Sequence, residues 1–322
     1  MLNGLLRVIW VGVICLVLIM SRGVYATEPL TDYPSNCFLK TNPNAVYAHA
    51  YEQDEFVIFY NSEGDSRLVD LEDANNNKIP DVLENIMIQL ITMRDTLDFL
   101  GFRHPFDGKR YRKANAEKIY IRMANIRGNG LAFDEAHQDL KTGKCVLLIT
   151  LSNSLSAKNL TPAHELFHLY QYGYTMFKQA WFLEGTARWS EDLLRSSEHY
   201  PQVELPQTPA ELEAFFRTSY GALNVWNWLL MSVDNKGFMD LPSELLARQY
   251  LDGEEVIGDQ KAYGVDFMIA VLGLLDRLDS EISREQDLSP IFWPEAFQRD
   301  PQHNDLIWKS LLNLYRDYKT LN

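Results

Sequence analysis

The sequence predicts an α+β fold in which a mixed sheet and one long helix occupy the N-terminal half and the C-terminal half is mostly α-helical. Three observations point there. Short apolar runs rich in β-branched and aromatic residues recur between positions 55 and 151, each bounded by turn-forming residues. One long stretch among them repeats its apolar residues at helical spacing. From residue 156 onward the helical period takes over, with no internal repeat and no low-complexity linker, so the two halves should pack on each other.

Taken in order, residues 1–26 read as a signal peptide: Arg7 precedes an apolar run from Val8 to Met20, and Val24 and Ala26 set small residues before a cleavage point at Thr27. The run is short for a membrane span, and no other stretch is long enough to be one. The mature chain then divides into an α/β part, 27–155, and a helical part, 156–322. With 322 residues, 46% of them apolar, the chain can furnish an ordinary core. Its formal charge of −14 becomes more negative once Arg7 and Arg22 leave with the signal. An acidic surface argues against nucleic acid or anionic lipid as partners and accords with export and cation binding.

Strands are expected over 55–61 (EFVIFYN) and 118–123 (KIYIRM), and over 145–151 (CVLLITL), whose unbroken apolar character predicts burial on both faces. Between the first two, the spacing predicts a helix from Asp81 to Leu100 that stops at Gly101. Further helices are expected over 161–173, 181–196, 208–217, 220–232, 241–251, 262–279 and 304–318, with prolines at the connections.

The chemistry concentrates in the segment from Thr161 to Gly173 (TPAHELFHLYQYG). Thr161 is positioned to cap a helix beginning at Pro162, which sets His164 and His168 one turn apart on one face, where both imidazoles can reach one ion. A zinc site needs a third ligand, and a catalytic one leaves the fourth position to water. Glu184, in WFLEGTARWSED (181–192), lies at a workable distance along the chain, with Gly185 beside it to let the helices approach. Glu165 sits about 100° around the helix from His164, off the ligand face but bordering the open position.

These two segments resemble the H-E-x-x-H zinc metallopeptidases of the gluzincin type, in which a glutamate on the following helix is the third ligand. More narrowly, they are similar to secreted bacterial metalloproteases carrying A-H-E-x-x-H and W-x-x-E-G-x-A-x-W-x-E-D. The resemblance implies a zincin-like fold with a zinc cleft between the halves, a peptide or protein substrate, and Glu165 as general base toward a zinc-activated water. Glu191 and Asp192 are candidates for orienting the histidines; Arg188 stands where some relatives carry an aspartate. Tyr220, opening a Tyr-Gly helix start, is the candidate oxyanion donor. Two other readings stay open: a zinc-binding interaction protein without turnover, and a zinc hydrolase of a non-peptide substrate. The segment 144–153 is the candidate substrate-facing strand, although its apolar run equally suits a central strand.

Asp73, Asn75, Asn77, Asp81 and Glu84 place oxygen side chains at loop positions 1, 3, 5, 9 and 12, with the Ile79 carbonyl at position 7, the spacing of a calcium loop. The stretch resembles the D-x-N-x-N-x-I-P-D segments of exported bacterial proteins, except that Lys78 stands where glycine is usual. Ca2+ there would hold the long helix against the sheet. Cys37 and Cys145 are the cysteines left after the signal. They can form one disulfide, remain two thiols, or leave Cys37 to block a metal from a pro-segment.

Overall fold

In a computed structural model of the chain, residues 37–196 and 203–321 are described. The signal-peptide reading at 1–26 lies outside them. The strands are β1 (Leu39–Thr41), β2 (His49–Gln53), β3 (Phe56–Tyr60), β4 (Lys118–Ala124), β5 (Gly130–Asp139) and β6 (Cys145–Ser152). They form one six-stranded mixed sheet in the order β1-β5-β6-β4-β3-β2. β3, β4 and β6 run parallel, β5 is antiparallel to β6, β2 is antiparallel to β3, and β1 is parallel to β5.

β6 is buried at every position, as its unbroken apolar sequence requires. Side-chain alternation divides the neighbouring strands between two faces. Phe56, Ile58, Ile119, Ile121, Leu147 and Ile149 join the main core, while Val57, Phe59, Tyr120, Val146 and Leu148 form a smaller cluster.

The helices are α1 (Asp81–Leu100), α2 (Lys109–Ala114), α3 (Thr161–Tyr174), α4 (Ala180–Ser190), α5 (Pro209–Phe216), α6 (Leu223–Val233), α7 (Ser243–Leu246), α8 (Val265–Glu285), α9 (Glu295–Gln298) and α10 (Gln302–Leu321). α1 ends where the sequence says it must: Gly101 is left-handed (φ 94°), and the Phe102 N–H closes the last turn on the Leu97 carbonyl. α3 packs against α1, α4 and β5, and so stands at the centre of the main core. No described helix is long and apolar enough to cross a membrane.

Two expectations need correction, and one strand was not expected. The helix expected over 241–251 is only the short α7, because α1 claims the rest: Asn85 Oδ1 accepts from the Leu251 N–H, Gln89 Nε2 donates to the Tyr250 hydroxyl, and the chain turns back at Gly253 (φ 87°). β5 escapes the sequence reading because its buried side is made of small and charged residues, Ala132, Asp134 and Ala136, and so shows no apolar alternation. The segment 144–153 is the central strand β6, flanked by β5 and β4, so it has no free edge. The open edge near α3 belongs to β5. β1 pairs with it only over His137–Asp139, and among the described residues no strand pairs with Gly130–Phe133 on that side.

Candidate functional site

α3 begins one residue earlier than expected, with Leu160 rather than Thr161 at the N-cap position. Asn159 Oδ1 accepts from both the Thr161 N–H (2.9 Å) and its hydroxyl (2.6 Å), so Thr161 is already helical and Pro162, which has no N–H to satisfy, follows it. The helix is buried from Pro162 to Tyr174. His164 and His168 stand one turn apart with ring centroids 4.8 Å apart. Their Nε2 atoms lie 3.3 and 3.6 Å from Glu184 Oε2 on α4. Ligand atoms of these three residues all fall within 4.8 Å of one another, and among the described residues this is the one group of three or more His, Cys, Asp or Glu so arranged.

The outer ring nitrogens are also engaged. His164 Nδ1 is 2.9 Å from Glu191 Oε1, whose other oxygen accepts from Arg188 Nη1 at 2.7 Å. His168 Nδ1 is 2.6 Å from Gln171 Oε1. Gln171, fully buried, donates in turn to the Leu183 carbonyl (2.9 Å) and the Thr186 hydroxyl (2.6 Å) of α4. Gln171 therefore fixes His168 and ties α3 to α4. Sequence reasoning missed it; its place one turn after His168 is the signal that could have found it. Asp192 is buried in the 3-10 turn that follows α4, and His164 takes Glu191 as its partner.

Two imidazole nitrogens and a carboxylate oxygen, with both outer nitrogens oriented by acceptors, make a donor set that could hold a metal ion. Burial pulls the His164 pKa down, yet Glu184 and Glu191 raise it to about 9. Burial pushes Glu184 up, yet the two histidines hold it well below the usual carboxylate range.

Glu165 borders this group and packs against Gly130 and Ala132 of β5. It is buried, and desolvation raises its pKa above the ordinary value despite His168, His164 and a hydrogen bond from the Ala132 N–H. Tyr220 opens a 3-10 turn (Tyr220–Ala222) before α6, its ring 5.9 Å from that of His164. Burial of its hydroxyl and the neighbouring Glu184 push the phenol up to about 12, so it keeps its proton at neutral pH. A cleft of about 730 Å³ joins Tyr220, His164, Glu165, Gly130, Arg127 and Arg188. Gly185 serves a different contact from the one expected: a Cβ there would lie 2.5 Å from Trp226 Cδ1, so its lack of a side chain seats α6, not α3.

Away from this cleft, the 73–84 loop is closed on itself. Asp73 accepts from the Asn77 and Lys78 N–H groups, Asn77 Oδ1 accepts from the Ile79 N–H, Asp81 accepts from the Ala74 N–H, and Glu84 accepts from the Asn75 and Asn77 amides. Lys78 occupies the left-handed region (φ 74°), the conformation that the usual glycine adopts without strain. Cys37 and Cys145 are bonded to each other, with α-carbons 5.5 Å apart, and pin the chain before β1 to the start of β6.

Comparison with protein-family models, with curated proteins and with solved structures finds no match to this chain.

Proposed function

We propose that the chain is an exported zinc metallopeptidase of zincin-like fold, with His164, His168 and Glu184 as metal ligands. The observation that carries the reading is the convergence of these three side chains beside Glu165, a buried carboxyl that the metal set does not use. A zinc ion in such a site supplies Lewis acidity toward a carbonyl and brings the pKa of water down to about 7. Glu165 takes the proton of the attacking water on its carboxylate and returns it to the leaving amine; its raised pKa suits both steps. The Tyr220 hydroxyl, protonated at working pH, donates to the developing oxyanion. An extended peptide lies along the open edge of β5 from Gly130 to Phe133, which brings its carbonyl over the cleft. The Cys37–Cys145 bond supports export, since structural disulfides persist in oxidising compartments. The 73–84 loop binds calcium weakly and holds the start of α1.

The test is zinc content per chain and peptide hydrolysis, measured together on the native protein, His168→Ala and Glu165→Gln. The expected result is one zinc in the native chain, little in His168→Ala, and zinc without hydrolysis in Glu165→Gln. A folded native chain that takes up no zinc would remove the reading. Hydrolysis that survives in Glu165→Gln would remove the role given to that residue.

A further inference from the structure

We propose that the cleft carries a carboxylate-recognising subsite centred on Arg127, which selects peptides bearing an acidic side chain or a free C-terminal carboxylate beside the reacting bond. This rests on the peptidase reading above.

Arg127 lines the same cleft as His164, Glu165 and Tyr220. It is exposed, and it enters no hydrogen bond or ion pair with any described residue. Arg188, the other guanidinium in the cleft, differs in this respect: it donates to Glu191, and that carboxylate offsets its charge. Among the described residues, Arg127 is therefore the cation lining the cleft that no carboxylate pairs with.

Its position relative to the strand edge gives that charge a use. Gly128 is left-handed (φ 99°) and turns the chain between Arg127 and Gly130, the first residue of β5. A peptide extended along Gly130–Phe133 reaches Glu165 at Gly130, and beyond Gly130 the Arg127 turn lines the same cleft. The group that meets Arg127 thus lies within a residue or two of the bond at the metal. The guanidinium is planar and offers paired N–H donors that match a carboxylate bidentately, and it does not lose its charge at any working pH. The sign of the whole molecule makes the subsite selective: a chain of net charge −14 repels carboxylates over most of its surface, so an uncompensated cation in a concave site is where an acidic peptide is held.

The experiment uses the zinc-loaded Glu165→Gln protein and three N-acetylated peptides of one uncharged sequence. The first is amide-capped and neutral, the second amide-capped with aspartate placed at each position in turn, and the third neutral with a free C-terminal carboxylate. The expected result is that one acid series binds about tenfold more tightly than the neutral peptide, the scale of one charge-assisted hydrogen bond, and that Arg127→Glu abolishes the gain. Which series gains tells side chain from chain terminus. Equal binding of all three, or a gain that persists in Arg127→Glu, overturns the subsite. Hydrolysis of the neutral peptide by the native chain separates the two readings: hydrolysis without carboxylate preference removes only the subsite, whereas neither hydrolysis nor binding of any peptide removes the peptidase reading and the subsite with it.

Discussion

Gly130 and Glu165 are in contact: a Cβ on Gly130 would lie 2.7 Å from both Cγ and Oε1 of Glu165, and 2.6 Å from Thr161 Cγ2. The open edge of the sheet and the candidate base are thus held at a spacing that admits only a hydrogen. Gly130→Ala must push the Glu165 carboxyl aside, and hydrolysis should fall about 10- to 100-fold, the usual cost of a displaced catalytic group. Zinc content should stay unchanged, because none of the three ligands is touched. Kinetics and metal analysis on the same preparation check this; loss of zinc would place the glycine's role in the metal site instead.

Gln171 carries the orientation of His168. Gln171→Ala removes the acceptor at His168 Nδ1 and leaves the Leu183 carbonyl and the Thr186 hydroxyl without their donor. Zinc affinity should drop about 10- to 100-fold, as is usual when an outer partner of a ligating histidine is lost. Competition against a chromogenic chelator reads the change, and an unaltered affinity would mean that α3 alone sets the ring.

Lys78 holds a left-handed backbone with a side chain that dislikes it. Lys78→Gly should raise stability by about 1 kcal/mol in metal-free buffer by relieving that strain. It should raise it further when calcium is added, since a positive charge leaves the loop. Thermal melts with and without calcium give both numbers. No calcium shift in either protein would identify the loop as a helix-capping turn alone.

Glu55, just before β3, pairs with Arg94 of α1 and lies 3.7 Å from His104 Nε2. Burial would raise its pKa, but these partners bring it down to about 2 from an ordinary value of 4.5. Its folded pKa lies below its unfolded one, so the stabilisation is full above pH 4.5 and is lost as pH falls toward 2. Allowing for solvent screening, the loss is roughly 1 to 2 kcal/mol. Denaturant melts between neutral pH and pH 3 should show this slope, and Glu55→Gln should flatten it.

What the sequence made legible was local. His164, His168 and Glu165 follow from spacing on one helix, and Glu184 from a motif on the next, because helical geometry converts sequence distance directly into direction. α1 and β6 were equally plain, the first from its period and Gly101, the second from its unbroken apolar run. What stayed hidden depended on partners distant along the chain. The bonds from Gln171 to Leu183 and Thr186 exist only once α4 crosses α3. The helical pattern of 241–251 yields to hydrogen bonds from Asn85 and Gln89, far upstream. The edge of β5 could not be found because the buried side of that strand, Ala132, Asp134 and Ala136, carries no apolar pattern.

The disulfide bears on one more property of that edge. An open strand invites pairing with another copy of the same strand, the first step toward an aggregate. Here Cys37 anchors the chain so that β1 occupies β5 from His137 onward, and the register shift after Phe133 interrupts the ladder before that point. On that side of β5, Gly130–Phe133 is left without a partner strand among the described residues, and it lies beside the turn that carries the charge of Arg127. A short edge with a charge beside it offers little for a second copy of that strand to pair with.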